Sequence, residues 1–270
     1  MKYIISTGWW CCGQLKDSRA KLLGDDALRE KDFFNHWYKS VKAFSKPEKI
    51  LVVDSNSPVK PDLMKNDERL EFISLNENAG HASNHTGKYC GYTRAIFTGM
   101  GYAISCNVDY WVYLEQDALL YGDNIVEEAV KRMKGDFLFG SGIGTPQVLQ
   151  QSFIIMKTSF IPTFLKNYSN IKYTDNQVSP ELKFALSCLP YFKITSNIFL
   201  TTIKIKAVDK YIKKVSAITM EHFMNKHTFQ FGYGRCRPIN FDDRFFYFQH
   251  GTKDELKMYA EKCNRTNKNS

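Results

Sequence analysis

Two carboxylates follow an apolar run near the middle of the sequence. The apolar run 110–114 belongs to a predicted buried strand, and Glu115-Gln116-Asp117 comes directly after it. Acidic side chains that leave a core need a cation or several hydrogen bonds to offset their desolvation. Glu115 and Asp117 can share one hard divalent cation, which can in turn bridge a diphosphate. The alternative is that Asp117 caps the turn after the strand.

A third carboxylate also ends a predicted strand. Asp54 closes the run 49–54, where it can accept hydrogen bonds from a nucleobase edge or a ribose hydroxyl. It can equally close an Asx-turn with Ser55 and Asn56. Arg94, at the start of a predicted helix, can reach a phosphate or the same base, although exposed helical arginines are common.

The C-terminal third adds nitrogen and cationic side chains. The aromatic run 245–248 predicts a strand, and His250 follows it, a position that suits a metal ligand as well as an ordinary surface histidine. Arg235 and Arg237 lie in the segment 232–237, whose glycines suit a loop that closes over a diphosphate. This segment lacks the GxxxxGK[ST] pattern of a nucleotide-hydrolase P-loop.

Glu181 is a candidate general base. Ser179 and Pro180 predict a helix start, with Ser179 as N-cap and Pro180 at the first helical position. Glu181 then stands in the first turn, where the helix dipole stabilises its charge. It has either that structural role or the role of a base that projects into a cleft.

Strands and helices alternate around these residues. The first strand begins at Tyr3 and leads into Thr7-Gly8, and further strands cover 49–54, 70–75, 109–114, 137–140 and 152–156. Helices are predicted over 25–44, 93–107 and 124–133. This pattern indicates an α/β protein with a mostly parallel sheet and helices on both faces. Ligands of such sheets bind outside the carboxyl ends of the strands, so we expect Asp54, Gly80 and Asp117 on one edge.

Composition limits the class of protein and its partners. The chain has 270 residues, 43% of them hydrophobic, and a net charge of +9, values that suit a folded soluble domain. The charge favours an anionic partner, either a phosphorylated small molecule or a membrane face contacted peripherally. The basic residues are spread out, so nucleic acid is not expected as a partner. Seven cysteines without a C-x-x-C pair, and no apolar window of membrane-spanning length, predict a cytoplasmic location.

The order of these features resembles the nucleotide-sugar glycosyltransferases of the GT-A fold, and most of all their family-2-like group. The stretch ending at Asp54 resembles the family's aspartate for the donor base, and the loop at Gly80 followed by Arg94 resembles its glycine loop and arginine. Glu115-Gln116-Asp117 resembles its metal-binding D-x-D motif, with Glu in place of the first Asp. Gln249-His250-Gly251 resembles its C-terminal metal-binding histidine. The likeness covers about residues 1–255.

The resemblance implies a GT-A-like, Rossmann-like single domain. Its nucleotide-binding half covers about 1–120 and its acceptor half about 121–255, and a C-terminal helix end and polar tail cover 256–270. It implies Mn²⁺ or Mg²⁺ held by Asp117, Glu115 and His250. The expected donor-binding residues are Thr7, Gly8, Asp54, Gly80, Arg94, Glu115, Gln116, Asp117, Arg235 and Arg237.

The implied reaction is transfer of a sugar from a nucleoside diphosphate sugar, and the donor nucleotide we expect is of the UDP type. The expected acceptor is a hydroxyl of a glycan, polysaccharide or glycoconjugate, and we expect the anomeric configuration of the sugar to be inverted. Glu181 is the expected base, with Glu221, Asp242 and Asp243 as rivals. A nucleotidyltransferase acting on a sugar phosphate, and a non-catalytic basic protein that binds glycan or RNA, remain as alternatives.

Overall fold

Eight strands and eight α-helices make up the chain in the computed structural model, which describes residues 1–13, 24–63, 66–141, 149–201, 206–229 and 231–268. The strands are β1 (Tyr3–Trp9), β2 (Lys49–Asp54), β3 (Leu70–Ser74), β4 (Tyr110–Leu114), β5 (Ala118–Tyr121), β6 (Phe137–Ser141), β7 (Leu149–Lys157) and β8 (Phe246–Gln249). The helices are α1 (Phe33–Phe44), α2 (Gly91–Ser105), α3 (Ile125–Arg132), α4 (Ile161–Asn170), α5 (Pro180–Cys188), α6 (Phe192–Leu200), α7 (Lys206–Asn225) and α8 (Lys253–Lys268). These counts apply to the ranges just given.

The central sheet has the strand order β3-β2-β1-β4-β7-β6. The first four strands are parallel, and β7 runs antiparallel to both of its neighbours. In the parallel part Trp9 lies beside Asp54, and Asp54 beside Ser74, so the carboxyl ends of three strands meet at one edge. The predicted α/β class, with a mostly parallel central sheet flanked by helices in a single domain, is confirmed.

Side chains that alternate along the strands build a core on each face of the sheet. Ile5, Val112 and Ile155 pack with α1 on one face. On the other face Trp111 and Ile154 pack with α2, α4 and α5. The strands are apolar on both sides because both faces are covered, and this explains why the unbroken run before Glu115 predicted a strand correctly.

A second, two-stranded sheet joins the middle of the chain to its C-terminal part. β5 pairs antiparallel with β8, and Ala118 lies opposite Gln249. This pairing places the residue before β5, Asp117, next to the residue after β8, His250. The sequence predicted the aromatic strand β8 but not the four-residue β5.

The helix predicted over 25–44 is shorter than expected. A 3-10 helix covers Asp26–Arg29, and α1 begins only at Phe33. Asp25 is instead hydrogen-bonded to the C-terminal segment: its N–H donates to the Gly251 carbonyl at 3.1 Å, and its carboxylate accepts from the Lys253 N–H at 2.6 Å. These hydrogen bonds hold Asp25 outside α1.

Two further expectations concern the C-terminal segment and membrane spanning. α8 continues to Lys268, through residues expected to form a polar tail. In the described ranges, no helix is long and apolar enough to cross a membrane.

Candidate active site

A cleft of about 470 Å³ opens at the carboxyl edge of the central sheet. It brings together eight of the predicted site residues, and they come from six separate segments of the chain. These residues are Gly8, Gly80, Glu115, Gln116, Asp117, Glu181, Arg235 and His250. A cavity of this size, with converging charged groups, has the dimensions of a small-molecule site.

Asp117 and His250 form a pair inside the cleft. The Asp117 side chain is 7% exposed, and its Oδ2 lies 2.8 Å from Nδ1 of His250. Burial by itself raises the pKa of the Asp117 carboxyl, but His250, Arg29 and Gln249 together hold that pKa below its ordinary value. Asp117 is therefore a carboxylate at neutral pH.

Three buried atoms of this pair have no hydrogen-bond partner among the described residues. They are Oδ1 of Asp117 and both ring nitrogens of His250, of which Nδ1 has its close contact with Asp117 Oδ2. Buried polar atoms are nearly always paired, so open atoms beside a cleft indicate a place for a ligand. A carboxylate oxygen and an imidazole nitrogen are also ligands that divalent cations such as Mn²⁺ accept.

Glu115 and Gln116 are held by neighbouring residues. The Glu115 carboxylate accepts a hydrogen bond from the Gln249 side-chain amide. The Gln116 amide makes two bonds to the backbone of Trp10: its oxygen accepts from the Trp10 N–H at 2.6 Å, and its nitrogen donates to the Trp10 carbonyl at 2.9 Å. Gln116 therefore positions Trp10, which lines the cleft, and its own amide is engaged.

The expected three-residue metal centre is not assembled around one point. No group of three or more His, Cys, Asp or Glu side chains in the described ranges is arranged to hold a metal ion. Asp117 and His250 each offer an atom of a type that binds such an ion, while the Glu115 carboxylate accepts a hydrogen bond from Gln249. The metal prediction stays a prediction.

Glu181 reaches the cleft from the first turn of α5. The helix starts as predicted, with Ser179 Oγ accepting from the Leu182 N–H at 3.4 Å and Pro180 in the first turn. Tyr92 is partly buried and lines the cleft, and its pKa is raised well above its ordinary value, first by burial and then by nearby acidic groups that include Glu115 and Glu181. Glu115 and Glu181 therefore both lie near Tyr92, although they come from different elements.

A buried ion pair anchors α5. Lys183 Nζ lies 2.8 Å from Asp175 Oδ1, and neither side chain is exposed. Lys183 also donates to the Tyr173 carbonyl at 2.6 Å, and Asp175 accepts from the Cys90 N–H at 2.8 Å. The start of α5, which carries Glu181, is thereby fixed to the start of α2.

Other predicted donor-site residues make contacts within the protein. Asp54 is fully buried and accepts from the Ser57 N–H at 3.0 Å, the Ser74 hydroxyl at 2.6 Å and the Lys60 ammonium. Arg94 pairs with Glu77 at 2.7 Å. Thr7 is buried within β1.

The two arginines of the segment 232–237 have different surroundings. Arg235 lines the cleft. Arg237 donates to the Gln249 carbonyl at 2.8 Å and pairs with Glu255 at 2.5 Å, so it links β8 to α8.

The three rival bases are either exposed or in contact with other residues. Glu221 is exposed on α7, Asp242 is exposed near Lys262 at 3.9 Å, and Asp243 accepts from Asn240 at 2.7 Å.

Trp9, Trp10 and Arg29 are among the cleft residues that were not predicted from the sequence. Trp9 ends β1 and Trp10 follows it, so their place after a buried strand was a usable signal. Arg29 lies at the end of the 3-10 helix and helps to lower the pKa of Asp117. No local sequence pattern identifies Arg29, because its position in the cleft depends on the hydrogen bonds between Asp25 and the C-terminal segment.

Comparisons with known proteins give a distant structural likeness. No family model matches the sequence, and no curated protein matches it. Among solved structures the chain is similar to mannosyltransferase PcManGT from Pyrobaculum calidifontis, solved in complex with GDP-Man and Mn²⁺. The identity is 12%, the TM-score is 0.41, and the match covers 68% of this chain and 51% of that one. The chain therefore matches about half of that protein's length.

Proposed function

We propose that the protein is a glycosyltransferase that moves a sugar from a nucleoside diphosphate sugar to an acceptor hydroxyl. The observation that carries this proposal is that Asp117 and Glu181 line one cleft, the first at the sheet edge and the second on α5. A carboxylate at the sheet edge suits a phosphate-bound cation. A second carboxylate from a helix N-terminus suits removal of a proton from the acceptor.

The proposal includes Mn²⁺ or Mg²⁺. When bound, such an ion neutralises the charge that develops on the leaving diphosphate. Asp117 and His250, which have buried polar atoms without hydrogen-bond partners in the described ranges, would hold it. Glu115 is linked to this pair through the Gln249 amide and would help to orient the donor.

The remaining cleft residues bind the donor and the acceptor. Trp10, fixed by Gln116, offers an aromatic wall, and Arg235 offers positive charge for the diphosphate. Glu181 takes the proton from the acceptor hydroxyl, whose oxygen bonds to the anomeric carbon as the bond to the diphosphate oxygen breaks. We propose inversion, a UDP-type donor and membership of the family-2-like GT-A group as the finer assignments.

Nucleotide binding is the first test. Thermal unfolding of the wild-type protein is measured with UDP, GDP, CDP, dTDP and ADP, each with and without Mn²⁺. We expect one diphosphate with Mn²⁺ to stabilise the protein, by about 2.7 kcal/mol at a hundredfold excess over its Kd. Asp117→Asn should lose this gain, whereas Asp123→Asn, at an exposed position past β5, should keep it. If no nucleotide shifts unfolding, the glycosyltransferase proposal is wrong.

Turnover is the second test. With the donor that the panel identifies, Glu181→Gln should lower kcat about 10²–10⁴-fold, the usual contribution of a general base. The nucleotide-induced stabilisation should remain, because Glu181 is assigned to the acceptor. Glu221→Gln serves as the matched control on α7. If Glu221→Gln abolishes turnover and Glu181→Gln does not, the base has been misassigned.

A further inference from the structure

Exposed apolar side chains concentrate on the pair of helices that follows α5. We call α6 and α7, with Tyr191 before α6, the α6–α7 hairpin. Six of the large hydrophobic residues that are exposed in the described ranges lie here: Tyr191, Ile194, Ile198, Tyr211, Val215 and Ile218. Single exposed apolar residues are ordinary, but such a concentration marks an interaction surface.

The exposed residues follow the helical period. Ile194 and Ile198 lie one turn apart on α6, and Tyr211, Val215 and Ile218 repeat at intervals of four and three on α7. Ile194 is 63% exposed and Ile218 is 57% exposed. Each helix therefore presents an apolar stripe to solvent.

These stripes are not the surfaces by which the hairpin packs on the protein. On α6, Phe192 and Phe199 contact the core, and on α7 Met220 and Met224 are buried in it. The helices thus have their own buried anchors, and the exposed stripes are additional apolar surface.

The charged residues of the hairpin are mostly basic. Lys193 on α6, and Lys210 and Lys214 on α7, are exposed beside the stripes. Apolar residues flanked by lysines on one helix are typical of segments that lie in the surface of an anionic membrane. A second copy of the chain would bring the same lysines close together, which opposes self-association through this surface.

We propose that the α6–α7 hairpin docks the protein on an anionic lipid bilayer. Its apolar stripes enter the boundary between headgroups and acyl chains, and its lysines contact the acidic headgroups. The hairpin packs against α5, which carries Glu181, so the docked surface adjoins the wall of the cleft. This proposal depends on exposed side chains and holds whether or not the protein transfers a sugar.

Vesicle sedimentation of the full chain tests the proposal. We expect the wild type to sediment with phosphatidylcholine vesicles that contain one-third phosphatidylglycerol, and to stay in solution with phosphatidylcholine alone. The double variant Ile194→Ser with Ile218→Ser should weaken binding at least tenfold, from the lost apolar burial. The matched control, Ile104→Ser with Met258→Ser, removes two exposed apolar residues elsewhere and should bind as the wild type does.

The lysines are tested in the same assay. Lys210→Gln with Lys214→Gln should weaken binding by about fivefold per lysine, the equivalent of roughly 1 kcal/mol for each. Lys39→Gln with Lys42→Gln, two exposed lysines of α1, removes the same charge and should have a much smaller effect. Added salt should weaken wild-type binding.

Three results would overturn the proposal. The first is a wild type that stays in solution with anionic vesicles. The second is an equal loss of binding in hairpin and control variants, which indicates a diffuse charge effect. The third is a wild-type dimer in light scattering that becomes a monomer in the Ile194→Ser, Ile218→Ser variant, because the hairpin would then bind a second copy. Thermal unfolding of each variant confirms that it is folded, and none of these readouts requires turnover.

Discussion

Asp54 has the residue type and the position expected for ligand binding, and yet its carboxylate is hydrogen-bonded within the protein. Its carboxylate lies at the end of β2, fully buried, with hydrogen bonds from Ser57, Ser74 and Lys60. Burial raises its pKa, but these donors more than offset that effect and hold the pKa below its ordinary value. The contacts favour a role in stability for this residue.

Replacement of Asp54 tests that role. Asp54→Ala leaves the Ser57 and Ser74 donors without their acceptor, so we expect the free energy of unfolding to fall by about 2–4 kcal/mol in urea at pH 7. Lys60→Met should cost less, because the Lys60 side chain is 43% exposed and its ion pair is screened by solvent. If Asp54→Ala unfolds like the wild type but loses the nucleotide response, Asp54 contacts the donor instead.

The contribution of Asp54 to stability should decrease as the pH falls. A lowered folded-state pKa gives stability that is present above the unfolded pKa, about 4, and is lost as pH falls through the folded value. The stability difference between the wild type and Asp54→Ala should therefore shrink below about pH 4. Urea titrations at several acidic pH values measure this trend.

Gln116 gives a second residue-scale prediction. Both hydrogen bonds of its amide go to the Trp10 backbone, so Gln116→Glu places an oxygen against the Trp10 carbonyl. We expect Gln116→Ala to cost about 1–2 kcal/mol of stability and Gln116→Glu to cost more, although Glu is closer in shape. Urea unfolding measures both. Equal stability of Gln116→Glu and the wild type would show that the amide does not hold Trp10.

At the scale of elements, the position of α5 depends on one buried ion pair. Lys183 and Asp175 are fully buried, and their contacts reach the Cys90 N–H at the start of α2. A buried charge whose partner is removed is strongly destabilising. The ion pair therefore connects the stability of the protein with the placement of Glu181.

Lys183→Met should lower the free energy of unfolding at pH 7.5 by about 3–5 kcal/mol. Burial raises the pKa of Asp175 and the Lys183 ammonium lowers it, with a net lowering in the wild type. Without that ammonium the pKa of Asp175 should rise, so the loss of stability should be smaller at pH 5. Urea unfolding at the two pH values checks this.

Two further variants test this explanation of the Lys183→Met result. Lys166→Met removes an exposed lysine of α4 and should change stability by less than about 0.5 kcal/mol. Asp175→Asn combined with Lys183→Met leaves no buried charge and should recover part of the loss. A deficit that does not change with pH would argue against an unpaired Asp175 as its cause.

The elements that could be predicted are those with a local signal. Both faces of β2 and β4 are buried, so their apolar runs marked them, and the bounds 49–54 of β2 agree with the structure. β5 has four residues directly after Asp117, and its partner β8 is distant in sequence, so no periodicity could identify it. For the same reason the contact between Asp117 and His250 required the fold.

In the candidate site too, residues with a local sequence signal could be predicted, and residues placed by long-range contacts could not. Residues next to strand ends, such as Glu115 and Asp117, were found because the ends of parallel strands share one edge. Arg29 was missed because long-range bonds of Asp25 set its place. The partners of Asp54 were missed because Lys60 lies in the turn region after β2, where a lysine has no preferred direction.

At the scale of the whole molecule, the core on the α1 face joins distant parts of the chain. Tyr3 of β1, Phe34 of α1, Phe248 of β8 and Tyr259 of α8 all belong to it. The expected boundary between a nucleotide-binding and an acceptor half, near residue 120, falls inside β5, which pairs with β8. These contacts favour unfolding as one cooperative unit.

Phe248 tests this cooperativity because it connects both parts. It is 1% exposed, lies opposite Leu119 in the second sheet, and its ring centroid is 5.7 Å from that of Tyr259. Phe248→Ala should lower stability by about 3–5 kcal/mol, whereas Tyr211→Ala, at a residue 69% exposed, should have little effect. Far-ultraviolet circular dichroism reports the helices of the whole chain, and tryptophan fluorescence reports residues 9, 10, 37 and 111, all in the N-terminal half. In a single unit both signals shift to the same lower urea midpoint in Phe248→Ala. A tryptophan transition that stays at the wild-type midpoint would instead mean that residues 1–120 unfold independently of β8.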